Sequence, residues 1–364
     1  MDFKRRLNKI RQKIKKYQAD GLLVSNFYHL YYLAGFLGLS REEREGWLFV
    51  TQKEGYFFTD GRYQVKVGDD YPYKVKIIRS AKDIFSFIKR YYQQKNYLTL
   101  AIEADDLKVN EYLYVKKTLK NVKMIPSSLL IVEERMIKDE EEITKIKKAC
   151  WLTDNCLSFL KKSIKKGQKE KEIAWLIERW VKEKGYQLAF SPIVAIDKNS
   201  AVPHYNTQIN GQEKVKDGSL ILIDMGVMVE NYCSDITRIF FFNQLSQRQI
   251  IVYQNLLKAQ EKTINFIKIK QKAAEVDFYC RSQLKNYPFY SHATGHGVGL
   301  QPHELPKISS YSDDDLKGGM VFTIEPGVYL QGEWGMRIED TVYLNEKGET
   351  EVLTKFSKEI QIIK

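Results

Sequence analysis

Four carboxylates in the second half of the chain stand where acids are costly. Asp224 closes the apolar run Leu220-Ile221-Leu222-Ile223, and Glu325 closes Val321-Phe322-Thr323-Ile324. Asp235 and Glu339 lie on the strand-like segments Ser234–Phe241 and Met336–Tyr343. A carboxylate carried into an apolar strand needs a positive partner, because its lost hydration is otherwise uncompensated. If the four converge they repel one another strongly, and two divalent cations match four carboxylates in formal charge. A buried salt bridge with Arg238 or Arg337 is the simpler alternative. The histidines weigh against it. Of five in the chain, four fall between residues 204 and 303, and His292, His296 and His303 lie within twelve positions. Glycines are threaded among them at 295, 297 and 299, which lets the backbone pass close to a site. Imidazole added to carboxylates suits Mn, Zn, Co or Fe, whereas carboxylates alone would suit Mg or Ca.

The elements that must carry these groups show a faint internal repeat. Residues 216–227 read against 317–328: each copy is an apolar strand ending in an acid, with a glycine two residues on. Each is followed by a further strand with its own acid, Asp235 in the first copy and Glu339 in the second. Before them, Asp139 followed three residues later by Glu142 is a capping signature for a long helix whose apolar face runs Ile143, Ile146, Cys150, Leu157, Leu160. Further helices are expected over 170–183, 247–268 and 273–286. Helices before and between antiparallel hairpins predict an α+β domain with a curved sheet.

The first 120 or so residues differ in character, about the length of one domain. Phe3, Leu7, Ile10, Ile14 and Tyr17 form one helical stripe, and strands are expected over 21–27, 46–51, 55–60, 74–79 and 98–103. Helical stretches are expected near Gln64, over 83–93 and over 109–119, so this is an α/β domain. The boundary is expected near Pro126, giving domains 1–126 and 127–364.

Composition narrows the class. A 43% hydrophobic and 29% charged content is that of a globular chain, and no apolar run approaches a bilayer-spanning length. The charged start, Met1-Asp2-Phe3-Lys4-Arg5-Arg6, lacks the apolar stretch of a signal peptide, so a cytoplasmic location is expected. Cys150, Cys156, Cys233 and Cys280 form no CxxC pair and are expected to be free, buried thiols. The net charge of +12 is spread over many helices, with no RNA-binding motif, so no specific nucleic-acid partner is expected.

The ordered set Asp224, Asp235, His296, Glu325, Glu339 resembles the metal set of the pita-bread metallopeptidases, which include aminopeptidase P, prolidase and methionine aminopeptidase. The surrounding strings carry the likeness: Ser234-Asp235-Ile236-Thr237-Arg238, Gly295-His296-Gly297-Val298-Gly299, Ile324-Glu325-Pro326-Gly327 and Arg337-Ile338-Glu339-Asp340. The first domain resembles the creatinase-type N-terminal domain, with Asp60-Gly61-Arg62-Tyr63 where aminopeptidase P-like proteins often carry a similar string. Methionine aminopeptidases generally lack that domain.

The resemblance implies roles. Asp224 would hold one metal, Asp235 and Glu339 would bridge both, and His296 with Glu325 would complete the other. A bridging hydroxide would be the nucleophile, with Glu325 passing its proton to the leaving amine. His204 and His303 match the family's two non-ligand histidines, which steady the tetrahedral intermediate. His292 and Arg337 match residues lining the substrate subsites, and Thr237 would orient a ligand. Phe190 lies where the family places an aromatic near a proline pocket, although plain core packing accounts for it equally well. Tyr205 departs from the small residue that many relatives carry after the first catalytic histidine, and is expected to add bulk near the site.

The implied enzyme is a peptidase with two divalent ions per chain, manganese ahead of cobalt and zinc. It would hydrolyse the Xaa-Pro bond at the N-terminus of peptides, and the resemblance implies a homodimer. The Asp60–Tyr63 string favours this aminopeptidase P-like reading over an Xaa-Pro dipeptidase (prolidase) restricted to dipeptides. A non-catalytic peptide- or nucleic-acid-binding relative is disfavoured, since all five ligands are present.

Overall fold

The computed structural model describes residues 1–40, 42–63, 71–288 and 290–364, and the helix expected near Gln64 lies outside them. The chain forms two compact units, Met1–Arg135 and Met136–Lys364.

In the first unit a six-stranded sheet runs in the spatial order Lys74–Ile78, Gly55–Asp60, Gly46–Thr51, Gly21–Val24, Thr99–Ile102, Lys123–Pro126. The strand pairs around Gly46–Thr51 are antiparallel and the outer ones parallel. The helix Ala81–Lys95 lays Ile84, Phe85, Ile88, Tyr91 and Tyr92 against Leu23, Trp47, Phe49 and Phe58 of the sheet. The helix Phe3–Lys16 buries Leu7, Ile10 and Ile14, as its stripe predicts. It also buries Arg6, which donates to the Tyr32 carbonyl at 2.9 Å and stacks over the Tyr32 ring.

The strand expected over 21–27 stops at Val24, and a helix, Phe27–Ala34, follows. Its aromatic run has little helical signature. It is set instead by Asn26, whose side chain caps Tyr28 and His29 N–H groups, and by Gly35 at φ 68° closing the C-terminus. His29, the fifth histidine, is buried on this helix and paired with Glu103.

The second unit opens with the helix Glu140–Ser163, capped by Asp139 and Glu142 in a reciprocal box. Its buried face, with Ile173 and Ile177 of the helix Glu170–Glu183, packs on Ile221, Ile223 and Ile236. Among the described residues the strands of this unit form a four-stranded and a five-stranded sheet with two smaller ones. The four-stranded sheet is ordered Gln361–Ile363, Ile236–Phe242, Leu220–Met225, Ile193–Ile196; the five-stranded one Glu304–Ile308, Gly295–Gly297, Met320–Ile324, Asp340–Leu344, Thr350–Val352. Nearly all pairs are antiparallel, and Gln361–Ile363 alone joins its neighbour in parallel. All four cysteines are buried thiols outside any disulfide.

The segment 336–343 is not one strand. Trp334–Arg337 pairs with Gly327–Leu330, whereas Asp340–Leu344 pairs with Met320–Ile324. The chain changes sheets at Ile338-Glu339, which frees the Glu339 side chain from a flat ladder. The hand-over is bolted by a fully buried ion pair, Arg238 Nη2 to Asp340 Oδ1 at 2.6 Å, with Gln260, Thr354 and Lys358 also on the Asp340 carboxylate. Removing one member of such a pair strands the other charge away from water, so Asp340→Ala should destabilise this unit by about 3–5 kcal/mol. Denaturant unfolding should show it as a lowered midpoint; an unchanged midpoint would mean the pair is dispensable.

Candidate metal centre

The five proposed ligands come from both sheets. Asp224 sits near the end of Leu220–Met225, opposite Thr237 on Ile236–Phe242, and Asp235 immediately precedes that second strand. Glu325 follows Met320–Ile324, Glu339 occupies the hand-over, and His296 is central in Gly295–Gly297. Glycine is obligatory around them. A Cβ at Gly295 would overlap the Thr323 carbonyl, and one at Gly226 the Ser234 carbonyl, so only bare backbone brings the strands this close.

Three sets of donor atoms each lie within 4.8 Å of one another: Asp224, Asp235 and Glu339; His296, Glu325 and Glu339; and Asp235, His296 and His303. The first two share Glu339, which is the arrangement two ions with a common carboxylate require. Asp224 Oδ2 accepts from Arg337 at 2.6 Å, but its Oδ1 is buried without a hydrogen-bond partner among the described residues. An orphaned carboxylate oxygen facing three more acids fits a divalent cation, and the mixed oxygen and imidazole donors suit a transition ion.

The electrostatics agree. Burial, and then the neighbouring carboxylates Glu339, Asp224 and Glu325, push Asp235 well above the usual carboxylate range. Burial with the charges of Glu325 and Asp224 does the same to Glu339. Burial opposes ionisation of Glu325 also, but the hydrogen bond and charge of His296, 3.2 Å away, pull it to about 2. Burial would lower His296, yet Glu325 holds it above the ordinary histidine value. Burial raises Asp224 as well, despite the charge of Arg337, so protein cations leave three of the four acids under-compensated.

Around this core lie three further histidines, His204, His292 and His303. His303 stacks at 4.0 Å between ring centroids from His296; burial and then the His296 charge lower it to about 4. His204 is exposed and lies within electrostatic reach of both His292 and His303. The loop before His204 is tied in through Arg337 Nη1, 3.4 Å from the Pro203 carbonyl. Phe190 lays its ring over Gly226, two residues beyond Asp224.

His292 and Arg337 are held more tightly than sequence suggests. Arg337 donates to Asp224, to Thr237 Oγ1 at 3.0 Å and to Tyr329 Oη at 2.9 Å. Tyr329 in turn lies 2.9 Å from His292 Nε2, while His292 Nδ1 lies 2.8 Å from the Ala293 carbonyl. For a neutral ring these contacts fit one tautomer, in which His292 donates from Nδ1 and accepts from the Tyr329 hydroxyl at Nε2. Burial lowers His292 to about 4, consistent with that neutral ring. Thr237 donates to Glu339 Oε2 at 2.6 Å.

Tyr329 escaped sequence reasoning, although its place four residues after Glu325 was a usable signal. Tyr205 corrects an expectation. Its hydroxyl does not crowd the site; it donates to the buried Glu170 at 2.8 Å and accepts from Asn199, anchoring the residue after His204 in the protein interior.

Comparison with known proteins identifies this arrangement. Residues 144–346 match the metallopeptidase family M24, and residues 6–137 match the creatinase/prolidase N-terminal domain. The chain is 32% identical to an Xaa-Pro dipeptidase of Pyrococcus furiosus, over 98% of this chain and 99% of that one. In structure it is similar to an Xaa-Pro dipeptidase from Bacillus anthracis (TM-score 0.91, 29% identity, 99% and 100% of the two chains). It is similar also to an X-Pro aminopeptidase from Thermotoga maritima (TM-score 0.85, 30% identity, 96% and 100%). With acids and imidazole assembled on these two sheets and both halves of the chain matched, the protein belongs to metallopeptidase family M24 and carries a creatinase/prolidase-type N-terminal domain.

Proposed function

We propose that the protein is a dinuclear Xaa-Pro peptidase that removes the residue before proline at the N-terminus of peptides. The observation that carries this reading is the pair of donor sets sharing Glu339. Asp224 would hold one ion, His296 and Glu325 the other, and Asp235 and Glu339 both. Manganese is the first expectation, ahead of cobalt and zinc, because carboxylates outnumber the single imidazole. When bound, such a pair supplies a water deprotonated near neutral pH and polarises the scissile carbonyl.

The chain's own groups do the rest. Glu325 takes up the nucleophile's proton at its carboxylate and passes it to the proline nitrogen, which must leave as a secondary amine. His303 and His204 place N–H donors where negative charge develops on the carbonyl oxygen. Phe190 offers an apolar wall for the proline ring, and His292 and Arg337 border the substrate. Arg337 also fixes Asp224, so its loss should be felt in both metal and peptide binding. The enzyme is proposed to work in the cytoplasm as a homodimer, in keeping with its family resemblance; no helix among the described residues is long and apolar enough to cross a membrane.

A second reading, a dipeptidase, is favoured by the names of the Pyrococcus and Bacillus relatives. Within the first unit, Arg62 of the Asp60–Tyr63 string pairs with Asp60 at 2.8 Å and Tyr63 donates to Glu45. Assays of Ala-Pro and Ala-Pro-Ala with manganese separate the two. The aminopeptidase reading expects turnover of both, and cleavage of the dipeptide alone would replace it with the second. The active protein should hold about two ions per chain and lose its activity to a chelator. Metal analysis finding no transition ion in an active preparation would overturn the whole reading.

A further inference from the structure

We infer that Thr323 is a positioning residue that locks Glu325 to His296, the two groups proposed to complete one ion. The inference rests on that assignment and adds a residue that is not itself among the ligands. Thr323 is fully buried in the strand Met320–Ile324, between the apolar neighbours Phe322 and Ile324. A hydroxyl removed from water costs stability unless hydrogen bonds replace those it loses. In the internal repeat the matching position is Leu222, so a strand ending in an acid has no need of a hydroxyl there.

The Thr323 hydroxyl instead joins two of the proposed ligands. Alternation along the strand puts residues 323 and 325 on one face, and Thr323 Oγ1 donates to Glu325 Oε1 at 3.2 Å. An ionised carboxylate can only accept, which fixes the direction of that bond. The same oxygen accepts the His296 backbone N–H at 3.1 Å. The His296 ring is held in turn, with Nδ1 3.2 Å from the Gly297 carbonyl and Nε2 3.2 Å from Glu325 Oε1. Glu325 Oε1 is thus met by both the hydroxyl and the imidazole, and the hydroxyl is anchored on the residue that carries the imidazole.

Strand pairing does not depend on this hydroxyl. Glu325 donates its N–H to the Thr294 carbonyl at 2.8 Å, Val298 donates to the Val321 carbonyl at 3.1 Å, and Gly297 faces Phe322 in the ladder. Removing the hydroxyl therefore leaves the strands in register and releases the carboxylate to rotate about its own side-chain bonds. A ligand that must be re-ordered holds its ion less tightly. Loss of such an outer partner costs about 10- to 100-fold in metal affinity.

The test is titration calorimetry with Mn2+ on the chelator-treated full chain, beside the activation of Ala-Pro cleavage by Mn2+. Thr323→Val keeps the branched shape and removes the hydroxyl. It should weaken one ion by about 10- to 100-fold, more than the other, and move half-activation to higher Mn2+. Thr323→Ser, which keeps the hydroxyl, should restore most of the affinity. A merely structural role would lower the fraction of folded protein, which melting curves read, without moving the affinity of what remains. Asp224→Asn identifies the ion: the site it retains is the one assigned to His296 and Glu325, and adding Thr323→Val should weaken that site. Thr323→Ala serves if the valine variant does not fold. Wild-type affinity for both ions in Thr323→Val or, failing it, Thr323→Ala overturns the inference alone. So does an affinity that serine fails to restore, or a retained site in Asp224→Asn that Thr323→Val leaves untouched. A wild-type chain that binds no Mn2+ overturns the dinuclear reading, and the inference with it.

Discussion

Asp235→Asn abolishes turnover and weakens both metal sites together, rather than leaving a clean one-metal enzyme. Asp235 is 3% exposed and its donor atom belongs to two of the three clustered sets, beside Asp224 and Glu339 in one and beside His296 in another. Asparagine preserves shape while removing a negative charge, so two cations would face each other with less compensation. Asp224→Asn should mainly release one ion, since Asp224 enters only the all-carboxylate set. Titration calorimetry with Mn2+ on the two variants distinguishes these outcomes. The same crowding predicts a thermal consequence. Without metal, buried acids repel, so chelation should lower the melting temperature of the wild-type protein. Two tight sites retained in Asp235→Asn, or an unmoved melting temperature, would refute the shared-ligand arrangement.

His303→Ala should lower kcat by about 100- to 1,000-fold, the usual cost of removing one donor to a developing oxyanion, while metal content stays intact. His296→Ala should instead lose metal. The contrast matters because the structure leaves a rival open: the His303 nitrogen lies within 4.8 Å of donor atoms on Asp235 and His296, as a third ligand would. Two features argue for the non-ligand role. His303 keeps more of its surface in contact with solvent than any of the four acids, and it lies in the turn before the strand Glu304–Ile308 rather than in a strand register. Metal analysis and kinetics on the same two preparations decide it. Equal metal deficits would make His303 a ligand and remove it from transition-state stabilisation.

Much of the candidate centre has a signature legible along the chain. Asp224 and Glu325 were conspicuous because an ionised group ending an apolar strand has a local, one-dimensional signature. His296 was conspicuous because glycines flank it, and the glycines proved necessary: strand Gly295–Gly297 runs too near Thr323 for any side chain at 295. Helices such as Glu140–Ser163 were equally plain, since a cap and a periodic stripe are properties of neighbouring residues. The helix Phe27–Ala34 was hidden, because its aromatic run lacks a stripe and its limits depend on Asn26 and Gly35.

By itself, then, the sequence determined the types and order of the groups proposed to do the chemistry and the class of elements that carry them. Tertiary structure decided how those groups are held. Glu339 reaches the centre because the chain changes sheets beside it, and it is oriented by Thr237, 102 residues earlier. Arg337, Tyr329 and His292 become one hydrogen-bonded chain, with Asp224 at its end. Lys138 meets Glu304 across 166 residues. None of these partnerships leaves a mark in spacing or periodicity, because hydrogen bonds and buried ion pairs act over a few ångströms in space and are blind to distance along the chain.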